Sequence, residues 1–120
     1  MAQISLITAT FNSEKHINNC IKSVKMQEGI ECERIYIDGD SKDNTLKIIQ
    51  KNETLKYTLI SEKDKGIYNA LNKGISISNG EIIGFLHSDD VLASSKILQK
   101  IYKTILEENL DGIYGNLNYG

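Results

Sequence analysis

Hydrophobic and polar positions switch period several times along this chain. Residues 4–8, ISLIT, form a short apolar run rich in β-branched side chains, the pattern of a buried first strand. Ile17, Ile21 and Val24 then recur at helical spacing with Cys20 on the same face, and Asn12 or Ser13 is the expected cap of that helix. Gly29 falls where the helix should have stopped. Residues 34–37 read as a second strand. The polar turn 38–45, DGDSKDNT, follows, and Leu46, Ile48 and Ile49 start a second helix. Residues 57–60 read as a third strand and 63–66 as a charged loop. Ile67, Ala70, Leu71 and Ile75 mark a third helix, closed by Asn79 and Gly80.

The stretch 81–90, EIIGFLHSDD, organises the reading. Ile82, Ile83, Phe85 and Leu86 form the nearly continuous apolar run of a strand covered on both faces, and the strand ends in two adjacent carboxylates, Asp89 and Asp90. Ser94 is expected to cap a fourth helix with Ile97, Leu98, Ile101, Ile105 and Leu106 on one face, and residues 112–116 read as a fifth strand. This alternation predicts an α/β fold, Rossmann-like, with a mostly parallel sheet and helices on both faces. Because the text stops soon after a strand begins, the chain is expected to be the N-terminal piece of a longer protein.

Composition works mainly by exclusion. The 120 residues suit one domain, and 40% hydrophobic with 25% charged residues is a globular balance. The net charge is −2 with the signs interspersed along the chain, so no nucleic-acid partner is expected. Cys20 and Cys32 have no CxxC spacing and no matching histidine pair, which argues against zinc. Sparse cysteine and a first strand in place of a signal-peptide pattern point to a cytoplasmic location. No run approaches the ~18 apolar residues of a membrane span.

Candidate chemistry sits at the strand ends. Thr8, Thr10 and Asn12 follow the first strand, Asp38, Asp40 and Ser41 the second, Glu62 and Asp64 the third, and Asp89 and Asp90 the fourth. In a parallel sheet these converge on one edge, where α/β folds bind ligands. The carboxylate pair is either a divalent-metal and phosphate site or a solvated turn capping the next helix. There is no G-x-G-x-x-G after the first strand and no G-x-x-x-x-G-K-[ST]. His16 reads as an exposed helix residue, His87 as a turn residue or donor beside the acids, and Cys20 as core.

Four strings carry a resemblance: residues 5–12 (SLITATFN), 37–45 (IDGDSKDNT), 66–74 (GIYNALNKG) and 79–90 (NGEIIGFLHSDD). In this order they resemble the N-terminal half of a family 2 glycosyltransferase of GT-A fold. The resemblance implies an inverting, metal-dependent enzyme that moves a sugar from a nucleotide diphosphate donor, usually a UDP one, to a glycan or lipid-linked acceptor. Carried over, Thr8 and Thr10 flank the base, Asp38 accepts from it, and Asn12, Asp64 and Asn72 complete the nucleotide-binding set. Asp89 then sits near the ribose and Asp90 ligates Mg²⁺ or Mn²⁺. Two positions depart from the family pattern. Ser88 stands where many relatives have the first acid of D-x-D, and Leu71 stands where many have a basic residue. Lys65 or Lys73 is the substitute considered, although Lys73 reads as a solvated helix charge. The resemblance puts the general base beyond residue 120, so these residues alone are expected to bind donor without transferring sugar. Membrane periphery is expected through the missing region, and self-association through an exposed sheet edge.

Two other readings use the same residues. Asp38 and Asp40 after an apolar strand, Ser61 after the third strand and Asp89 and Asp90 after the fourth resemble a haloacid-dehalogenase phosphatase, with Asp38 as nucleophile, Asp40 as acid/base and the later pair on Mg²⁺. A non-catalytic nucleotide-binding module is the other.

Overall fold

Parallel strands need crossovers, and right-handed crossovers decide which face each helix takes. In the computed structural model, which describes residues 2–63 and 67–107, β1 (Ile4–Thr10) lies beside β2 (Cys32–Asp38), and β2 beside β3 (Tyr57–Ser61). The helices joining them, α1 (Ile17–Lys25) and α2 (Thr45–Asn52), share one face. The chain then crosses back over α3 (Ile67–Ile77), on the opposite face, to β4 (Ile82–Phe85) on the far side of β1. α4 (Ile97–Glu107) returns to the face of α1. The sheet order is β3-β2-β1-β4 and every pairing is parallel, so the expected α/β architecture holds. The fifth strand expected at 112–116 lies outside the described residues.

Two apolar layers hold the sheet. Ile4, Leu6 and Tyr36 pack against Ile17, Cys20, Ile21 and Val24 of α1, Ile49 of α2 and Leu98 of α4. Ile7, Ile35 and Ile37 pack against Ala70 of α3. The buried face of α1 is the one its helical spacing predicts, and Cys20 is core. Ile75, expected on the buried face of α3, is 44% exposed. Gly74 takes the contact instead: a Cβ there would lie 2.6 Å from Ile7 Cγ2, so the helix can approach β1 only without a side chain at that position. Leu106 is likewise exposed, because it lies one residue beyond the Ile97–Leu98–Ile105 stripe that α4 buries.

The caps differ from expectation for a traceable reason. Neither Asn12 nor Ser13 caps α1, whose N-cap is His16 with no side-chain hydrogen bond. Both candidate side chains are committed elsewhere, Asn12 to Lys42 N–H and Ser13 to Ser88. At α4, Ser94 Oγ receives Lys96 N–H at 3.4 Å, but the helix starts at Ile97. Gln27, beyond the end of α1, accepts from Leu98 N–H at 3.0 Å and donates to Ser94 O at 2.6 Å. One amide thus joins two helix ends.

Beneath α1 and α2 lies a buried polar cluster. Arg34 Nε donates to Tyr36 Oη at 3.1 Å, Tyr36 Oη donates to Glu53 Oε2, and Arg34 Nε is 3.8 Å from the same carboxylate oxygen. The guanidinium also reaches Leu6 O at 3.4 Å and Cys20 Sγ at 3.7 Å. Burial, reinforced by the neighbouring Glu53 and opposed by Arg34, drives the Tyr36 hydroxyl well above its ordinary range, so it stays a donor. Burial likewise raises both thiols, Cys32 to about 11, which keeps them protonated and inert.

At the amino edge of the sheet, Glu33 Oε1 receives Ser5 Oγ and Asn79 N–H, both at 2.6 Å, and Gly80 N–H donates to Ser5 Oγ at 2.7 Å. Burial opposes ionisation of Glu33, but these hydrogen bonds outweigh it and hold the carboxyl below its ordinary 4.5. A depressed carboxyl stabilises the fold above its unfolded-state value and loses that contribution as pH falls through the folded-state value. Thermal midpoints should therefore drop below about pH 4.5. Glu33→Gln should start lower at neutral pH and fall less steeply in acid. Parallel midpoint–pH curves for the two proteins would count against this role.

Candidate active site

The order β3-β2-β1-β4 reverses direction between β1 and β4. Outside the carboxyl ends of those two strands the connecting loops part, and α/β folds place ligands in that crevice. Here Ser13 Oγ, after β1, and Ser88 Oγ, after β4, are hydrogen-bonded at 3.0 Å. His87 O receives Asp90 N–H at 3.1 Å, closing a turn that presents Asp89 exposed and Asp90 half-buried. His87 is exposed and belongs to that turn, and His16 is exposed too.

Beside the crevice, Thr10, Asp38 and Ser61 are register partners across β1, β2 and β3, so they form one row at the sheet edge. Asp38 is the centre of this row. Its Oδ1 receives Thr10 Oγ1 at 2.5 Å and Ser41 Oγ at 2.6 Å, and its Oδ2 receives Ser41 N–H at 2.7 Å and Ser61 Oγ at 2.9 Å. A carboxylate offers about four lone-pair directions, and these four donors take them up. Asp38 is also fully buried. A buried carboxylate so committed cannot act as an open nucleophile, and the phosphatase reading loses its central residue.

Ser41 relays this order outward. Its Oγ receives Asn12 N–H at 2.8 Å, and Asn12 Oδ1 in turn receives Lys42 N–H at 2.8 Å. Asn12 and Asp40 both have left-handed backbones, with φ of 48° and 68°. Asparagine and aspartate tolerate that region better than other side chains. Asp40 is half-exposed, with Lys42 Nζ 3.0 Å from its Oδ2. Next along the loop, Asp43 receives Thr45 Oγ1 at 2.5 Å, Thr45 N–H at 2.9 Å and Glu14 N–H at 3.2 Å. Slight desolvation would raise its carboxyl, and these donors outweigh it, so the group lies below its ordinary range. Thr45 Oγ1 then accepts Ser13 N–H at 2.7 Å. The two loops are thus laced together from Asp38 to Ser13 and on to Ser88.

Among the residues singled out in the sequence, Thr10, Asn12 and Asp38 belong to this network, and Asp89 and Asp90 adjoin it through Ser88. Thr8 is buried, and its Oγ1 has no hydrogen-bond partner among the described residues. Asn72 stands exposed on α3 and takes no part in the network. Asp64 and Lys65 lie outside the described residues. Lys73, read as a solvated charge, is half-buried and ion-paired with Glu62. The Ser13–Ser88 bridge and the Asp43–Thr45–Ser13 lacing join loops far apart along the chain and leave no signal in its pattern. Ser61, singled out only in the phosphatase alternative, ends β3 as Asp38 ends β2 and donates to it, which ties it to the loop network.

Among the described residues, no three histidine, cysteine or acidic side chains converge as a metal-binding group. The donors at the end of β4 are oxygens, from Ser88, Asp89 and Asp90. Such a set suits Mg²⁺ or Mn²⁺ if a bound diphosphate supplies further oxygens.

Comparison with known proteins agrees with this geometry. A family model described as glycosyl transferase family 2 matches residues 5–120. The chain is 29% identical over 120 residues to the GalNAc(5)-diNAcBac-PP-undecaprenol beta-1,3-glucosyltransferase of Campylobacter jejuni, covering 97% of this chain and 38% of that protein. It superposes with TM-score 0.79 and 28% identity on S. aureus TarS solved with UDP-GlcNAc, covering 89% of this chain and 32% of that one. The mannosyltransferase PcManGT of Pyrobaculum calidifontis, solved with GDP-Man and Mn²⁺, shares the fold at TM-score 0.79 and 21% identity, with 87% and 32% coverage. The chain therefore spans well under half the length of these relatives. A match over nearly all its residues, on a GT-A fold, makes this chain a member of glycosyl transferase family 2.

Proposed function

We propose that these residues form the donor half of an inverting, metal-dependent glycosyltransferase site that holds a nucleotide diphosphate sugar, with uridine as the base. The observation that carries this is the carboxylate pair Asp89–Asp90 at the β1/β4 switch point, beside the laced loops of β1 and β2. The likeness to a TarS structure containing UDP-GlcNAc supports the donor class. The Campylobacter relative named for a diphosphate-undecaprenol substrate supports a lipid-linked or glycan acceptor.

The chain's own residues divide the work. Thr8, Thr10 and Asn12 shape the nucleoside edge, and Asp89 takes the ribose. Asp38 fixes the loop that faces the base. Because its lone pairs are committed, the acceptor for a base N–H falls to Asp40, the half-exposed carboxylate of the same loop. With Lys42 Nζ beside it, Asp40 presents an acceptor next to a donor, which matches a ring N–H flanked by a carbonyl. By family resemblance alone, Asn72 and Asp64 are assigned to the nucleotide as well. Asp90 would hold the metal together with diphosphate oxygens. When bound, that metal balances the charge of the departing diphosphate. An acceptor hydroxyl forms a bond to the anomeric carbon from the opposite face as the carbon–phosphate-oxygen bond breaks. Its proton goes to a base assigned, by family resemblance, to the region beyond residue 120.

UDP with Mn²⁺ should raise the thermal midpoint by several degrees, whereas Mn²⁺ alone should leave it unchanged. Asp90→Asn should abolish the Mn²⁺ contribution with little effect on the unliganded midpoint. Equal protection by Mn²⁺ without nucleotide would sink the shared-ligand reading.

A further inference from the structure

The signs of charge that alternate along the sequence are segregated in space. The helices α1, α2 and α4 share one face of the sheet, and between them they carry Lys22, Lys25, Lys47, Lys51, Lys100 and Lys103, all exposed. Among the described residues of these helices, Glu107 is the one acid, paired with Lys103 at 3.8 Å. The acids flanking α1 are tied to loops: Glu14 accepts from Asn44 at 3.1 Å, and Glu28 from Ser95 at 3.0 Å. The carboxyl edge of the sheet gathers Asp40, Asp43, Asp89 and Asp90 instead. A chain of net charge −2 therefore has one distinctly basic face.

That face is not purely polar. An open groove of about 440 Å³ runs between α1 and residues 91–95, lined by Lys22, Met26, Val91 and Leu92 among others. Met26 and Val91 stand 67% and 41% exposed in the groove that Lys22 also lines, and Leu106 on α4 is 57% exposed. Lysines around protruding apolar side chains suit a surface that is anionic outside and apolar just beneath. Nucleic acid offers the negative charge without a layer that would accept Met26 and Val91.

We propose that the helical layer of α1, α2 and α4 docks on an anionic phospholipid bilayer, with Met26 and Val91 entering the headgroup boundary. Lysines supply the attraction, and apolar side chains at the groove set the depth. The groove begins at the residue after Asp90, so docking by this face would bring the strand-end carboxylates to the rim of the contact. The inference needs no nucleotide and stands apart from the donor reading.

The test is co-sedimentation of the full chain with vesicles of phosphatidylcholine, with and without about 30% phosphatidylglycerol, at about 0.05 and 0.5 M salt. Partition onto the anionic vesicles should exceed that onto neutral ones by at least about tenfold at low salt, and most of it should disappear at high salt. The combined variant Lys22→Gln, Lys47→Gln, Lys51→Gln and Lys100→Gln spares Lys25, which donates to Asn52 O, and the paired Lys103. It should lose about tenfold or more in partition at an unchanged thermal midpoint. Met26→Ser should weaken partition and leave its salt dependence intact. A control at Lys56 and Lys63, on other parts of the surface, should partition as the unaltered protein does. Equal partition of the four-lysine variant and the unaltered chain overturns the proposal. So does tight binding of an RNA oligonucleotide with no vesicle binding. Protection by UDP with Mn²⁺, measured on the same samples, separates failure of the donor reading from failure of this one.

Discussion

Glu53→Ala should lower the unfolding free energy by about 3–5 kcal/mol, the cost of stripping a buried cation of its partner. In a domain whose whole stability is about 5–15 kcal/mol, that leaves little margin. The size follows from what stays behind. Arg34 is fully buried and keeps its charge, while Tyr36 Oη loses its acceptor and Leu55 N–H loses the Glu53 Oε1 it donates to at 3.1 Å. The loss also uncouples elements, because Arg34 touches β1 through Leu6 O and α1 through Cys20, and Glu53 ends α2. Urea unfolding should show a lower midpoint with an unchanged slope. Replacing both partners with apolar residues, Arg34→Met with Glu53→Leu, should recover the part due to the stranded charge, since a buried pair costs nearly as much desolvation as it returns, while Tyr36 Oη and Leu55 N–H still lack their acceptor. A Glu53→Ala protein within about 1 kcal/mol of the parent would mean that water reaches the cluster.

That cluster also marks where the sequence stopped being legible. Period alone located all eight described elements, because β-branched runs and helical spacing report burial directly. An arginine within a strand pattern does not say which way it faces. Arg34, Tyr36 and Glu53 meet only because β2 is covered by α2, a tertiary fact. The caps failed for a related reason. Asn12 and Ser13 have the chemistry of helix caps, but partners far along the chain, Lys42 and Ser88, compete for them. Ile75 and Gly74 illustrate the same limit in the core, where close approach of α3 to β1 outranks hydrophobicity. The converging strand ends were legible, since a parallel sheet gathers them on one edge. Which carboxylate points outward was not, because Asp38 and Asp40 differ in register and backbone rather than in chemistry.

Those two carboxylates, two residues apart, should therefore respond in opposite ways. Asp38→Ala removes the acceptor of four hydrogen bonds and leaves the Thr10, Ser41 and Ser61 donors without it. An unmet buried donor costs about 1–3 kcal/mol, and with partial rescue by water the loss should total about 3–5 kcal/mol. Asp38→Asn should cost about 1–2 kcal/mol, because one amide oxygen can still serve Ser41 N–H while rotating hydroxyls accept from the amide nitrogen. Both should loosen the loop, since Ser41 Oγ orients Asn12 and Asn12 orients Lys42. Asp40→Gly should do the reverse to stability. Glycine adopts φ of 68° without a Cβ penalty, and its greater freedom when unfolded offsets part of the gain, so the midpoint should hold or rise slightly. UDP affinity should nonetheless fall about tenfold, the loss of one charge-assisted hydrogen bond. The preference for UDP over CDP should shrink with it, because cytosine has no ring N–H for a carboxylate to accept. Isothermal titration of UDP and CDP with Mn²⁺ measures both effects. If Asp40→Gly keeps the UDP:CDP ratio of the parent, the base is read elsewhere on this edge, and the left-handed aspartate serves the turn alone.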